Sequence, residues 1–297
     1  MRQLDWKSLG LLVLLGLLWG SGYALARYAT THGVPPLGYA CWQSIGPAVL
    51  LSFYVYFTAH RITSTPADWL WVAVIGLVGI AIPNSNMYFI APHLPAGVLA
   101  VIVNTAPLFT YFLALLFKDE SFQASRLGCV LLALAGVMLI ILANQHLAMI
   151  RPGPLLQALV SPFCFALVAV LISKRSCSWS PLVMAAGMMV ASSGWLLPVT
   201  LYAHQFYWPH PSWQTRDTVV VLETVISSCG YVVFFALLQR AGAVYYSFVG
   251  GVVAMMGLFW GSILFNERFS LITWLGMLTV VIATVLVTAI GSSRVRR

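Results

Sequence analysis

The chain has 297 residues, of which 61% are hydrophobic and 7% charged, whereas about a quarter of residues are charged in ordinary soluble domains. Its formal net charge of +8 is spread over the ends of apolar segments without forming a cluster, so the basic residues read as topology signals and no nucleic-acid partner is implied. Composition thus excludes a soluble globular protein and indicates an all-α membrane protein whose solvent is the lipid bilayer; at about 20 residues per span the length holds about ten spans.

Apolar runs bounded by Pro, Gly or charge predict spans at 8–29, 37–58, 68–90, 95–117 and 124–143, then at 154–174, 181–202, 217–239, 242–265 and 270–290. The first carries Lys7, an apolar run from Leu9 to Leu18 and Ala24-Leu25-Ala26, a shape shared with signal peptides. The internal repeat described below needs the same segment as a retained helix. In the third span, Pro83-Asn84-Ser85-Asn86-Met87-Tyr88 places two amides and a phenol in otherwise apolar sequence. Buried polar groups of this kind must meet a neighbouring helix, a water or a ligand. Asn104-Thr105-Ala106-Pro107 interrupts the fourth span near mid-depth, and Arg151-Pro152-Gly153-Pro154 marks a seam. Glu223 is the one carboxylate well inside a predicted span, the eighth, and Val249-Gly250-Gly251-Val252 is expected to break the ninth as Pro107 breaks the fourth.

The two sides of the seam repeat one another. Leu115-Leu116-Phe117-Lys118-Asp119-Glu120 before Gly128 returns as Ile263-Leu264-Phe265-Asn266-Glu267 before Gly276, Ala96-Gly97 returns as Ala241-Gly242, and Trp19 to Pro35 has the spacing of Phe165 to Pro181. Five spans is an odd number, so tandem copies at 1–150 and 151–297 must run in opposite directions through the membrane. With a cytoplasmic N-terminus, eleven Lys and Arg fall on the cytoplasmic side and four (Arg27, Arg151, Arg216, Arg268) outside, which puts both termini in the cytoplasm. The exterior stretch His204 to Trp213 then reads as an aromatic interfacial loop, and Glu120 and Glu267 as helix-ending residues on opposite faces.

Paired helix interruptions at matching positions indicate a central binding site; the plainer reading is a proline kink at Pro107 and close helix packing at Gly250-Gly251. Candidate substrate-binding residues are Trp19, Tyr23, Asn84, Asn86, Asn104 and Tyr231, with Trp195, Tyr245 and Tyr246 as further aromatics. Glu223 is the candidate for charge handling, with protons as coupling ion. An ion pair with Arg27 or Arg216 is the structural alternative. Gly16/Gly20 and Gly257/Gly261 have the spacing of tight helix contacts. No HExxH, GxSxG or Walker A sequence is present, so no catalytic residue is assigned. Cys41, Cys129, Cys164, Cys177 and Cys229 form no CxxC pair, and neither metal nor cofactor is expected.

Leu18-Trp19-Gly20-Ser21, the two ordered glutamates and Tyr231 to Ala243 together resemble the EamA-type members of the drug/metabolite transporter superfamily, over essentially the whole chain. Gln43 stands where that family often has an Arg, and Gly250 to Ala254 where it has a second-repeat Pro. The resemblance implies ten transmembrane helices as two inverted five-helix repeats, and a bacterial inner-membrane carrier that exports small metabolites, typically amino acids, by alternating access. The alternative activity is a carrier or flippase for drug-like or lipid-linked solutes; a non-transporting scaffold or sensor is the more remote one.

Overall fold

A computed structural model of the chain describes residues 6–58, 65–118, 122–143, 152–175, 179–209, 211–246 and 249–292. Before the seam lie α1 (Trp6–Thr31), α2 (Pro36–Thr58), α3 (Pro66–Gly76), a π-helical turn (Leu77–Ala81), α4 (Ile82–Ile90), α5 (Ala96–Val103), α6 (Ala106–Leu116) and α7 (Ala124–Ala143). After it come α8 (Pro152–Ala158), α9 (Val160–Lys174), α10 (Pro181–Tyr202), α11 (Thr215–Tyr246), α12 (Val249–Phe265) and α13 (Leu271–Ser292). No strand occurs among the described residues. Among the described residues, seven helical stretches, from Trp6–Thr31 to Thr215–Phe234, are long and apolar enough to cross a membrane, and Ala124–Ile140, Val249–Phe265 and Leu271–Leu286 are shorter apolar helices.

Local sequence chemistry accounts for the starts and breaks. Thr65 and Asp68 form a reciprocal capping box at the head of α3, with Pro66 in the first turn, where a missing amide costs nothing. The third span contains a π-helical turn just before Pro83. Pro83 cannot donate an amide to the turn behind it, and one extra residue in the ladder accommodates the defect. Pro162 explains in the same way why the sixth span bends at Leu159, between α8 and α9. Phe117 and Phe265 are each followed by a residue in left-handed conformation, Lys118 at φ 59° and Asn266 at φ 50°. Both fourth-in-order spans of the two halves thus end with the same helix-terminating geometry.

One expectation needs correction. The eighth span does not stop at 239: α11 continues through Arg240-Ala241-Gly242 to Tyr246, because no proline interrupts it and a single helical glycine costs only about 1 kcal/mol. Gly250 and Gly251 sit in the first turn of α12, and residues 247–248, between α11 and α12, lie outside the described residues. Glu120, Arg151 and the side chains of Tyr245 and Tyr246 lie outside the described residues.

The strongest contacts across the seam exchange with one another when the two halves are swapped. Helices of equal rank meet directly: α2 with α10, α5 with α12, and α7 with α13. The others occur in matched pairs. The packing of α1 on α11 and α12 answers that of α9 on α4 and α6, and the packing of α11 on α2 answers that of α10 on α3. Glycines permit the closest approaches. A Cβ on Gly20 would stand 2.7 Å from Met256 Cβ and 3.0 Å from the Gly257 backbone, as the GxxxG spacing predicts. A Cβ on Gly136 or on Gly276 would each meet the other's carbonyl oxygen at 2.7 Å. Outward faces stay apolar: Leu131, Leu134 and Met138 of α7 and Leu271, Leu275 and Leu278 of α13 are more than half exposed. Each such side chain would cost on the order of 1.5–3 kcal/mol against water, so lipid is the solvent these faces require.

Candidate functional site

The site is built around α1, which contacts helices from both sides of the seam. Trp19, Gly22 and Tyr23 lie three and four residues apart, so they look into the same region of the interior. The Trp19 ring meets Tyr231 edge-on at 5.6 Å between centroids and Phe234 at 5.9 Å, lying over Gly230, where a side chain would collide with the indole. One turn on, the Asn104 amide approaches the Tyr23 hydroxyl at 3.5 Å and donates to Ala100 O at 2.7 Å. Asn104 and Thr105 form the non-helical joint between α5 and α6. Freed backbone at such a joint is tolerated because it is buried in protein. Next to the joint, α5, α12 and α13 leave a narrow cleft of about 160 Å³ lined by Asn104, Gly250, Gly251, Ala254, Val281 and Thr284, too tight for a solute in this conformation.

Glu223 comes from α11 and is 6% exposed. Its Oε1 sits 3.1 Å from where a Cβ on Gly22 would stand, so the carboxylate occupies space that only glycine leaves open on α1. Its Oε2 has no hydrogen-bond partner. The structural alternative of an ion pair does not hold among the described residues, since Arg27 pairs with Glu267 and Arg216 donates to His32 O at 3.2 Å. Tyr39 of α2 and Tyr88 of α4 lie within Coulombic range of Glu223. Their rings meet edge-on at 4.7 Å, and the Tyr39 hydroxyl is buried without a partner.

The asparagines separate into different roles. Asn84 donates to Gln43 Oε1 at 2.8 Å, and Gln43 donates to Ser227 Oγ at 3.1 Å, a polar ladder from α4 through α2 to α11 beside Glu223. Asn86 donates to Gln157 O at 2.9 Å and Ser161 Oγ at 3.0 Å, and Ser161 donates to Pro83 O at 2.8 Å, which ties α4 to the α8–α9 joint. Trp195 is outside the cluster: its ring is 45% exposed and its Nε1 donates to Ala73 O at 3.0 Å. Tyr39 and Gly22 belong to the site but carried no distinguishing signal, being one aromatic and one glycine among many in apolar spans. No cluster of His, Cys, Asp and Glu that could hold a metal ion occurs among the described residues.

Two further groups frame the site. Glu267, 8% exposed, accepts from Arg27 and from the Ala96 and Gly97 amides at 2.8 and 3.3 Å, while the Arg27 guanidinium lies over the Phe265 ring at 4.6 Å. A loop carboxylate from one half therefore caps the fourth span of the other. Across the molecule, Lys174 lies 4.8 Å over the Phe117 ring, which repeats the cation-on-aromatic contact in the second half. The loop after α10 folds down on α2: Trp42 donates to Tyr207 O at 2.8 Å and the Tyr207 hydroxyl donates to Asp217 at 2.5 Å. Burial and the neighbouring Asp217 carboxylate push the Tyr207 phenol up to about 12.

The sequence profile of the EamA-like transporter family matches residues 6–142 and, a second time, 153–289. The chain belongs to the EamA-like transporter family. It is 27% identical over 286 residues to the uncharacterized inner membrane transporter YedA of Escherichia coli K12, covering 94% of this chain and 90% of that one. It is 22% identical to the protein PagO of Salmonella typhimurium over 78% of this chain and 77% of that one. A crystal structure with 15% sequence identity superposes with a TM-score of 0.64 over 96% of this chain and 98% of that chain, which shows a shared fold. The chain is accordingly a member of a transporter family, with several helices long and apolar enough to cross a membrane.

Proposed function

We propose that this chain is a secondary carrier that exports small metabolites, amino acids first among them, by alternating access between two inverted halves at 1–150 and 151–297, with ten spans and both termini in the cytoplasm. One observation carries the reading: Glu223, an intramembrane carboxylate without a protein partner among the described residues, lies where α1 of one half meets α11 of the other. Trp19 and Tyr231 wall the path, Tyr23 and Asn104 orient the solute at the helical joint, and Asn84 holds the Gln43–Ser227 ladder beside the carboxylate. Asn86, whose amide is already engaged by Gln157 and Ser161, joins α4 to α9. Glu223 accepts the coupling proton when the solute leaves.

Liposomes holding the purified chain test this directly. Exchange of at least one labelled amino acid, weakened by a raised KM in Asn104→Ala, is the expected outcome. Failure to exchange any member of a broad amino-acid panel, with lipid probes crossing instead, would move the chain to the flippase reading.

A further inference from the structure

A carboxylate without a partner in a protein interior costs several kcal/mol, and a chain that retains one has a ligand for it. Three ligands can satisfy Glu223: a proton alone, a metal ion or an organic cation. A hard metal ion takes six or more oxygen donors, or at least several carboxylates and carbonyls. Glu223 stands as a lone acid, and no acidic cluster accompanies it among the described residues. What surrounds it is aromatic. Tyr39 and Tyr88 lie within Coulombic range, Tyr88 in turn has Tyr23 and Tyr231 in range, and Trp19 closes over Tyr231. A carboxylate with an unpartnered oxygen, near a phenol whose hydroxyl is also buried without a partner, matches an ammonium group, whose several N–H bonds can take both oxygens.

The neighbouring cations do not compete for the place, since Arg27 is held by Glu267 and Phe265, and Arg216 is engaged at His32 O. Gly22 adds a steric argument. Any side chain there would press on Oε1, so the carboxylate is seated against bare α1 backbone, and its unpartnered Oε2 is the oxygen left for a ligand.

We infer that Glu223, with Tyr39 and Tyr88, is a subsite for the protonated amine of the solute, so the substrates of this chain carry a free ammonium group. This rests on the carrier reading above. The inference also orders the rest of the site: with the amine at Glu223, the remainder of the solute extends past Tyr23 toward the Asn104 joint.

The experiment uses the full-length chain in liposomes, without a pH gradient, and measures exchange of L-leucine, L-methionine and L-phenylalanine, each beside its N-acetyl derivative. The wild type should exchange free amines and leave the acetylated forms. Loss of a charge-assisted hydrogen bond is worth about 1.5–3 kcal/mol, so Glu223→Gln should lower exchange of the free amines by about 10- to 100-fold. Glu223→Asp, which keeps the charge but withdraws it by one methylene, should fall between the two and guards against a folding defect in the amide variant. Equal exchange of acetylated and free solutes overturns the amine subsite while leaving the carrier reading intact. Wild-type exchange of free amines by Glu223→Gln does the same and leaves the acid with the proton alone. If none of the six solutes moves in the wild type, the amino-acid carrier reading falls and takes the subsite with it.

Discussion

Removing the carboxylate of Glu267 should destabilise this protein by several kcal/mol. Three things depend on that one side chain: the Arg27 guanidinium and the two amides of Ala96 and Gly97 at the head of α5. Breaking a buried ion pair by deleting one partner costs about 3–5 kcal/mol. Arg27 is a quarter exposed and keeps its contact with Phe265, so the pair belongs nearer ~2 kcal/mol. Loss of a helix N-cap adds about 1–2 kcal/mol, for a total near 3–4 kcal/mol. At about 2 °C per kcal/mol for a chain of this size, Glu267→Ala should unfold roughly 6–8 °C below the wild type. The measurement is thermal unfolding in detergent, followed by intrinsic tryptophan fluorescence. Glu267→Gln keeps an oxygen for the α5 amides and loses only the charge, so it should recover about half of the deficit. An alanine variant within 1 °C of the wild type would refute the reasoning outright, and a glutamine variant as unstable as alanine would remove capping from the account.

Other expectations follow from single contacts. Gly20→Val should abolish stable expression, because its branches would drive into Met256 and the Gly257 backbone, whereas Gly10→Val, with nothing within 4 Å of its Cβ position, should behave as wild type in size-exclusion chromatography. Asn86→Ala should lower unfolding temperature through the lost tie to Gln157 and Ser161 yet leave the KM for transport unchanged, while Asn104→Ala should raise KM; the opposite pattern in a liposome uptake assay would exchange their roles. Tyr207 has a raised pKa in the folded state, so the stability it contributes is intact below about 10, the unfolded value, and declines as pH climbs toward about 12. Tyr207→Phe should flatten that alkaline decline in thermal unfolding measured from pH 9 to 12, and an unaltered slope would contradict the assignment.

Much of the architecture could be read from periodicity and punctuation. Spans of about 20 apolar residues leave little freedom in where helices lie, and Pro83, Pro107 and Pro162 mark local departures from regular helix because a missing amide is a property of the residue itself. Pro107 marks a joint because it cannot donate an amide at all, whereas Gly250-Gly251 falls in the first turn of α12, next to residues outside the described ones. Glu223 was legible as a functional candidate because an acid in hydrocarbon is costly wherever it packs. Whether it had a partner was not legible, since that depends on Arg27 being drawn to a residue 240 positions away. Asn84 and Asn86, two residues apart in the same span, read alike in sequence and differ entirely in partners, because only tertiary contacts distinguish Gln43 from Ser161.

The reciprocal approach of Gly136 and Gly276 has a consequence for genetics. Each glycine's empty side is filled by the other's carbonyl oxygen, so one physical contact is encoded at two positions in the chain. Substituting either residue opens the same gap, and the second substitution finds the interface already separated. Alanine at both positions should therefore cost clearly less than the sum of the two single changes. A mutational survey that scored sites independently would count this contact twice, and would overstate how many places along α7 and α13 hold the two halves together.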